Sequence, residues 1–205
     1  MINITRKEDC CGCSSCMNIC KVGAIEMKAD SQGFIYPEVN KEICINCGEC
    51  ESACPILNYS HEQKFNQSAY LVQHRDSQIL RESTSGGAFT GIASEIIKRG
   101  GVVFGAAYDK DFRVIHKCVS DSKDLKIFRN SKYVQSDTGQ TFRQVKNFLS
   151  DKKFVCYSGT PCEIEGLLNF LGSESESPYL LTVDVVCRAV PSPLVRSEER
   201  RVGEE

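Results

Sequence analysis

Nine of the thirteen cysteines in this 205-residue chain fall between residues 10 and 54. Thiolates crowded in this way bind iron–sulfur clusters or zinc, unless they are oxidised to disulfides. Their spacing narrows the choice. Cys10, Cys13, Cys16 and Cys20 recur without slippage 34 residues later as Cys44, Cys47, Cys50 and Cys54, so the segment is an internal duplication. Structural zinc usually draws on two short cysteine pairs per ion, whereas each half here reads C-x2-C-x2-C-x3-C. A disulfide scaffold expects an export signal, and Met1 to Cys10 (MINITRKEDC) has no apolar centre.

The doubled run is the spacing of bacterial ferredoxins with two 4Fe-4S clusters, in which the fourth cysteine of each run ligates the other cluster. On that rule Cys10, Cys13, Cys16 and Cys54 hold cluster one, and Cys44, Cys47, Cys50 and Cys20 hold cluster two. Two residues between successive cysteines let a tight loop present thiolates to three irons of one cube. Cys11 stands outside the pattern and is expected to pack beside the cluster. Lys21 occupies the place that Pro55 takes after the second run. Two one-electron clusters in a small unit form a wire, and the reaction it serves must be sought in the rest of the chain.

The elements that position these residues fall into two parts. Residues 1–60 carry five basic and eight acidic side chains, net −3, while 61–205 is net +1; the chain as a whole is at −2. No basic excess argues for nucleic acid or an anionic membrane. Every apolar run falls short of the roughly 18 to 20 residues a spanning helix needs, so the expected compartment is the cytoplasm. Asn58 to Ser68 is polar and aperiodic, which suits a linker with a boundary near residue 60. Within the first part, Ala24–Met27 and Phe34–Tyr36 are expected to be strands around the turn at Asp30–Gly33.

The second part alternates strand-like and helix-like segments, which points to an α/β sheet. Ala69–Val72 reads as a strand. A helix follows Ser85-Gly86-Gly87 with Phe89, Ile92, Ala93, Ile96 and Ile97 on one face, and Gly100-Gly101 ends it. Strands are expected at 102–108, 112–119 and 154–157, with a helix near 138–149 that carries Phe142, Val145, Phe148 and Leu149. Thr160, Pro161 and Glu163 mark the start of another helix, and Tyr179–Cys187 reads as a buried strand.

Two of these helix starts have chemical potential. Ser85-Gly86-Gly87 combines free N–H groups with glycine, a setting for phosphate, although most such starts are only caps. Gly159-Thr160-Pro161-Cys162 places a thiol in the first turn of a helix, where the dipole lowers a thiol pKa; packing is the plainer role for one cysteine. Cys118 and Cys156 read as core, and Cys187 fits either role.

Taken together, the double cluster motif, S-T-S-G-G-A-F (83–89), S-K-Y-V-Q-S (131–136), G-T-P-C (159–162) and V-D-V-V-C…V-P-S-P (183–193) resemble the coenzyme F-420 hydrogenase/dehydrogenase beta-subunit family. The resemblance covers residues 8 to about 195. It implies a cytoplasmic iron–sulfur flavoprotein oxidoreductase that passes electrons between 4Fe-4S clusters and a two-electron substrate through FAD. In methanogens that two-electron partner is coenzyme F-420. It also implies a redox partner protein or ferredoxin as a further partner. By the same resemblance Ser85, Gly86, Gly87, Lys132, Tyr133, Gly159, Thr160, Pro161 and Cys162 line the flavin site, with Cys162 the candidate for a catalytic role. Glu163 stands where the family usually has Gln, and Arg188-Ala189 replace a usual His-Gly.

The expected fold is α+β overall: a ferredoxin-like double-cluster domain over 1–60, then over 61–195 the N-terminal part of the family's α/β flavin-type domain. Residues 196–205 (RSEERRVGEE) share nothing with the family and match what a sequencing-adapter oligonucleotide encodes, so they are expected to be a non-native tail. A second reading from another class is a non-enzymatic electron-carrier subunit of a larger redox complex.

Overall fold

The computed structural model describes residues 1–58 and 67–195. The boundary near residue 60, most of the expected linker and the tail 196–205 lie outside the described residues.

Each cysteine run loops into a short helix, α1 (Ser15–Ile19) in the first and α2 (Glu49–Ser52) in the second. Ahead of α1, Gly12 and Ser14 have φ of 65° and 64°; at the matching positions of the second run, Asn46 and Gly48 have 53° and 80°. Each repeat supplies glycine at only one of the two left-handed positions, so the loop enforces the conformation on Ser14 and Asn46. Successive N–H groups in such backbone form a concave cradle for negative charge, a device common at iron–sulfur sites. Between the runs, β1 (Ile25–Ala29) and β2 (Ile35–Val39) pair antiparallel as expected, Ile25 opposite Val39 and Ala29 opposite Ile35. The Asp30 carboxylate closes their turn, accepting the N–H groups of Gln32 and Phe34 at 2.9 and 3.0 Å.

The second part comprises α3 (Ser77–Arg81), α4 (Ala88–Lys98), β3 (Val102–Tyr108), β4 (Val114–Val119), α5 (Thr141–Ser150), β5 (Val155–Gly159), α6 (Pro161–Leu171) and β6 (Leu180–Asp184). A stretch of 3-10 helix over Ser122–Phe128 follows β4. The strands form one sheet in the order β4-β3-β5-β6, with β4 antiparallel to β3 and β3, β5 and β6 parallel. The chain is therefore α+β, a ferredoxin-like unit followed by an α/β unit. Alternation along β3 and β5 sends Val102, Phe104, Val155 and Tyr157 to one face, where Phe142, Val145 and Leu149 of α5 and Ile164, Leu167 and Phe170 of α6 cover them. Val103, Ala107 and Cys156 face the other side, under Ala93 and Ile96 of α4 and Leu125 and Phe128 of the 3-10 stretch. Helices on both faces bury the central strands completely.

Three expectations fail here. Ala69–Val72 is no strand: the segment finds no ladder partner among the described residues, and Tyr70 and Leu71 project into solvent. Tyr179–Cys187 shrinks to β6, which is the sheet's edge and only partly covered; Leu181, Val185 and Val186 are exposed. Ile92, assigned to the apolar face of α4, lies at its exposed margin.

Candidate metal centre

Eight of the cysteines surround two voids. Cys10, Cys13, Cys16 and Cys54 line the first, of about 310 Å³ and partly open, together with Cys11 and the apolar side chains of Ile2 and Ile4. Cys20, Cys44, Cys47 and Cys50 line the second, of about 350 Å³. The fourth cysteine of each run thus sits with the first three of the other. Among the described residues no three His, Cys, Asp or Glu side chains gather around a single-ion position. Burial raises the Cys10 thiol, and Cys54 and Cys162 beside it raise it further. Burial also pushes Cys16 up to about 12, reinforced by Cys10, Cys54 and Cys50. The donor set fits two 4Fe-4S clusters.

The two voids differ in shelter. At the first, Cys13, Cys16 and Cys54 are buried; at the second, Cys47 is exposed. The α/β unit packs against the first run and the β1–β2 hairpin. Helix α6 lies against the loop at Gly166: a Cβ there would meet Cys13 Sγ at 2.8 Å and Ser15 Cβ at 3.5 Å. Thr138 Oγ1 donates to the Cys13 carbonyl at 3.2 Å, and Asn18 Nδ2 donates to the Gly139 carbonyl at 2.9 Å. Gln135 pairs with the backbone of Ile35, accepting its N–H at 2.8 Å and donating to its carbonyl at 3.5 Å. Gln135 also fills the space where a Cβ on Gly12 would stand. Ser192 of the Val-Pro-Ser-Pro segment donates to the Gln32 carbonyl. Arg143 spans three carbonyls at the end of α1, those of Asn18, Met17 and Cys20, at 2.6, 3.2 and 2.8 Å.

The Gly-Thr-Pro-Cys loop joins this contact region. Its helix starts as expected, the Glu163 carboxylate accepting the Thr160 N–H at 2.7 Å. Cys162 Sγ lies 3.1 Å from Thr160 Oγ1 and within hydrogen-bond reach of Cys11, which in turn touches Cys13. Contact with Cys11, then burial, raises the Cys162 thiol well above its ordinary value. Cys11 packs beside the first void as expected. Cys156 is core, Cys118 half-buried, and Cys187 half-exposed near Cys162.

Beneath the loop, His116 stacks on Tyr157, ring centroids 5.3 Å apart. Its Nε2 donates to the Ser158 carbonyl at 3.0 Å, since a carbonyl only accepts, and its Nδ1 meets Ser136 Oγ at 2.8 Å. Glu163 Oε2 lies 3.9 Å from Nε2. A Cβ on Gly159 would come within 2.8 Å of that carboxylate oxygen, so glycine is required there for packing.

The other residues expected to line a flavin have these surroundings. Ser85 is exposed, and Gly86 packs against the backbone of Val72 while its carbonyl accepts the His74 N–H at 2.7 Å. Lys132 donates to the carbonyls of Ile127 and Arg129 at 3.0 and 2.9 Å, and burial lowers it to about 8. Tyr133 is 74% exposed. Sequence reasoning missed Gln135, Thr138, Arg143, Gly166 and His116. Of these, only Gln135 lies within a quoted motif.

The arrangement defines an iron–sulfur electron-transfer unit. Residues 9–57 match the 4Fe-4S dicluster domain family. The chain is 34% identical over 73 residues to a 7Fe ferredoxin of Hydrogenibacillus schlegelii, a match covering 34% of this chain and 87% of that protein. It is 42% identical over 46 residues to an uncharacterised ferredoxin of Methanocaldococcus jannaschii, covering 22% of this chain and 25% of that protein. Through its first part the chain belongs to the dicluster ferredoxins. Among solved structures it is similar to a chain of the F420-reducing [NiFe] hydrogenase complex from Methanosarcina barkeri, with TM-score 0.49 and 18% identity, over 65% of this chain and 49% of that one. No helix among the described residues is long and apolar enough to cross a membrane.

Proposed function

We propose that the protein is an iron–sulfur oxidoreductase in which the ferredoxin unit carries electrons between an external redox partner and the α/β unit. Cys10, Cys13, Cys16 and Cys54 hold one 4Fe-4S cluster, and Cys44, Cys47, Cys50 and Cys20 hold the other. When bound, the clusters supply one-electron transfer at potentials set by burial, charge and hydrogen bonding. The observation that carries the proposal is the asymmetry of shelter. The α/β unit packs α6 and Thr138 against Cys13 of the first run, and Gln135 onto the hairpin beside it. The second run keeps Cys47 exposed, where a partner can approach. Cluster one thus faces the α/β unit and cluster two faces outward.

By the motif resemblance the two-electron partner is FAD, with Cys162 at its contact with cluster one. Bound FAD would join two-electron chemistry on a small-molecule substrate to the one-electron clusters. Coenzyme F-420 is one such substrate. The reading as a carrier subunit without a flavin is favoured by one observation: Lys132, expected at the flavin, is spent on the backbone carbonyls of Ile127 and Arg129. Anaerobically reconstituted protein separates the two. Acid release of a fluorescent flavin in near-equimolar amount supports the flavoprotein; iron–sulfur absorbance with no released flavin leaves the carrier.

A further inference from the structure

The two cysteine runs repeat, but the groups that close their helices do not. In the second run the carbonyls of Glu51 and Cys54 accept from Asn58, the first from its side-chain amide and the second from its backbone N–H at 3.0 Å. At the equivalent positions of the first run, the carbonyls of Met17 and Cys20 accept from the guanidinium of Arg143 at 3.2 and 2.8 Å. A neutral amide in one repeat is replaced by a full positive charge in the other. A cation at a helix C-terminus is favourable in general, but Asn58 shows that the fold does not need one there.

The charge also stands alone. Near the second void Lys21 pairs with Glu49 at 3.2 Å and the N-terminal ammonium with Glu51 at 3.3 Å, so these charges cancel locally. Arg143 meets only carbonyls among the described residues. It is half-buried and fixed by three hydrogen bonds, so it neither swings away nor is screened as an exposed lysine is.

We propose that Arg143 is a positioning residue that anchors the backbone of the Cys20 ligand and raises the reduction potential of cluster two above the value a neutral cap would leave. The proposal rests on the crossed ligand assignment given above. A cluster becomes more negative on accepting an electron, so a fixed positive charge beside one of its ligands stabilises the reduced form. Because Arg143 belongs to α5, the α/β unit supplies this bias across the interface, and it acts on the outward-facing cluster. Electrons shared by the pair are thereby drawn toward cluster two.

The test is a redox titration of the reconstituted full chain followed by electron paramagnetic resonance. In the wild type two clusters should titrate, and Cys50→Ser should remove cluster two and identify the signal of cluster one. Failure of either refutes the ligand assignment, and the proposal with it, before Arg143 is changed; the Arg143 variants then test the proposal by itself. Arg143→Gln installs the neutral amide of the other repeat. It should lower the potential of cluster two alone, by about a tenfold change in the reduced-to-oxidised ratio, ~59 mV for one electron. Arg143→Lys should keep most of the wild-type potential. An unmoved cluster two in Arg143→Gln, or an equal shift of both clusters, overturns the proposal. If Arg143→Gln does not retain cluster two, Arg143→Lys decides: a near-wild-type potential supports the proposal, and loss of that cluster or a potential lowered by the full amount overturns it.

Discussion

Cys54 lies far along the chain from the three cysteines it sits beside, and Cys20 likewise, so single substitutions separate the two clusters. Cys54→Ser is expected to remove about four of the roughly eight irons that two cubes imply, leaving the cluster of Cys44, Cys47, Cys50 and Cys20. Loss of the other cluster, read from the surviving paramagnetic signal, would refute the crossed set. Because all eight spaced cysteines are present, eight irons are expected, not the seven in the relative's name. Gly166 offers a second test. Alanine in mid-helix ordinarily gains about 1 kcal/mol over glycine. Here its Cβ would press on Cys13 Sγ at 2.8 Å, and overpacking costs about 1–3 kcal/mol. The sulfur cannot retreat while it ligates iron, so the penalty wins. Gly166→Ala should lower the melting temperature and reduce iron in cluster one while sparing cluster two.

At the scale of elements, the hairpin β1–β2 is tied to the α/β unit through Gln135, whose side chain is buried and pairs with both backbone groups of Ile35. Removing it leaves a partly buried N–H without a partner, at a cost of about 1–3 kcal/mol. Gln135→Ala should therefore accelerate hydrogen exchange at the Ile35 amide and lower overall stability by that amount. Unchanged exchange at Ile35 would mean that water replaces the side chain at no cost. The exposed edge β6 and the unpaired 69–72 segment show the converse, since an apolar stretch forms a covered strand only when neighbouring elements come to it.

For the whole molecule, the packing of α6 and Gln135 onto the first run predicts how the parts depend on one another. A fragment of residues 1–60 is expected to fold and take up both clusters, because it has its own small core of Ile2, Cys16, Ile25, Cys50 and Cys54. Freed from α6, its cluster one should bleach faster in air than in the full chain, while cluster two, already exposed at Cys47, should bleach at a similar rate. Equal protection of cluster one in fragment and full chain, followed by absorbance, would show that the α/β unit does not shelter it.

The cluster chemistry was legible in the sequence because ligand loops are local. Spacings of two and three residues, repeated 34 apart, state the donor set without reference to the rest of the chain. The same holds for the Thr160–Glu163 helix start, whose partners are three residues apart, and for the alternating apolar residues of β3 and β5. Arg143, Gln135 and Gly166 carry no such local pattern. Each acts on a group a hundred or more residues away, and a lone arginine, glutamine or glycine looks the same on any helix or loop. The contact of Cys162 with Cys11 is of the same kind, since its helix start is written locally but Cys11 arrives through tertiary packing. Short-range geometry thus determined which metal chemistry the chain can perform. Only the docking of the α/β unit decided which cluster is sheltered, which faces outward, and where the unpaired charge falls, because burial and electrostatic fields depend on which surfaces meet.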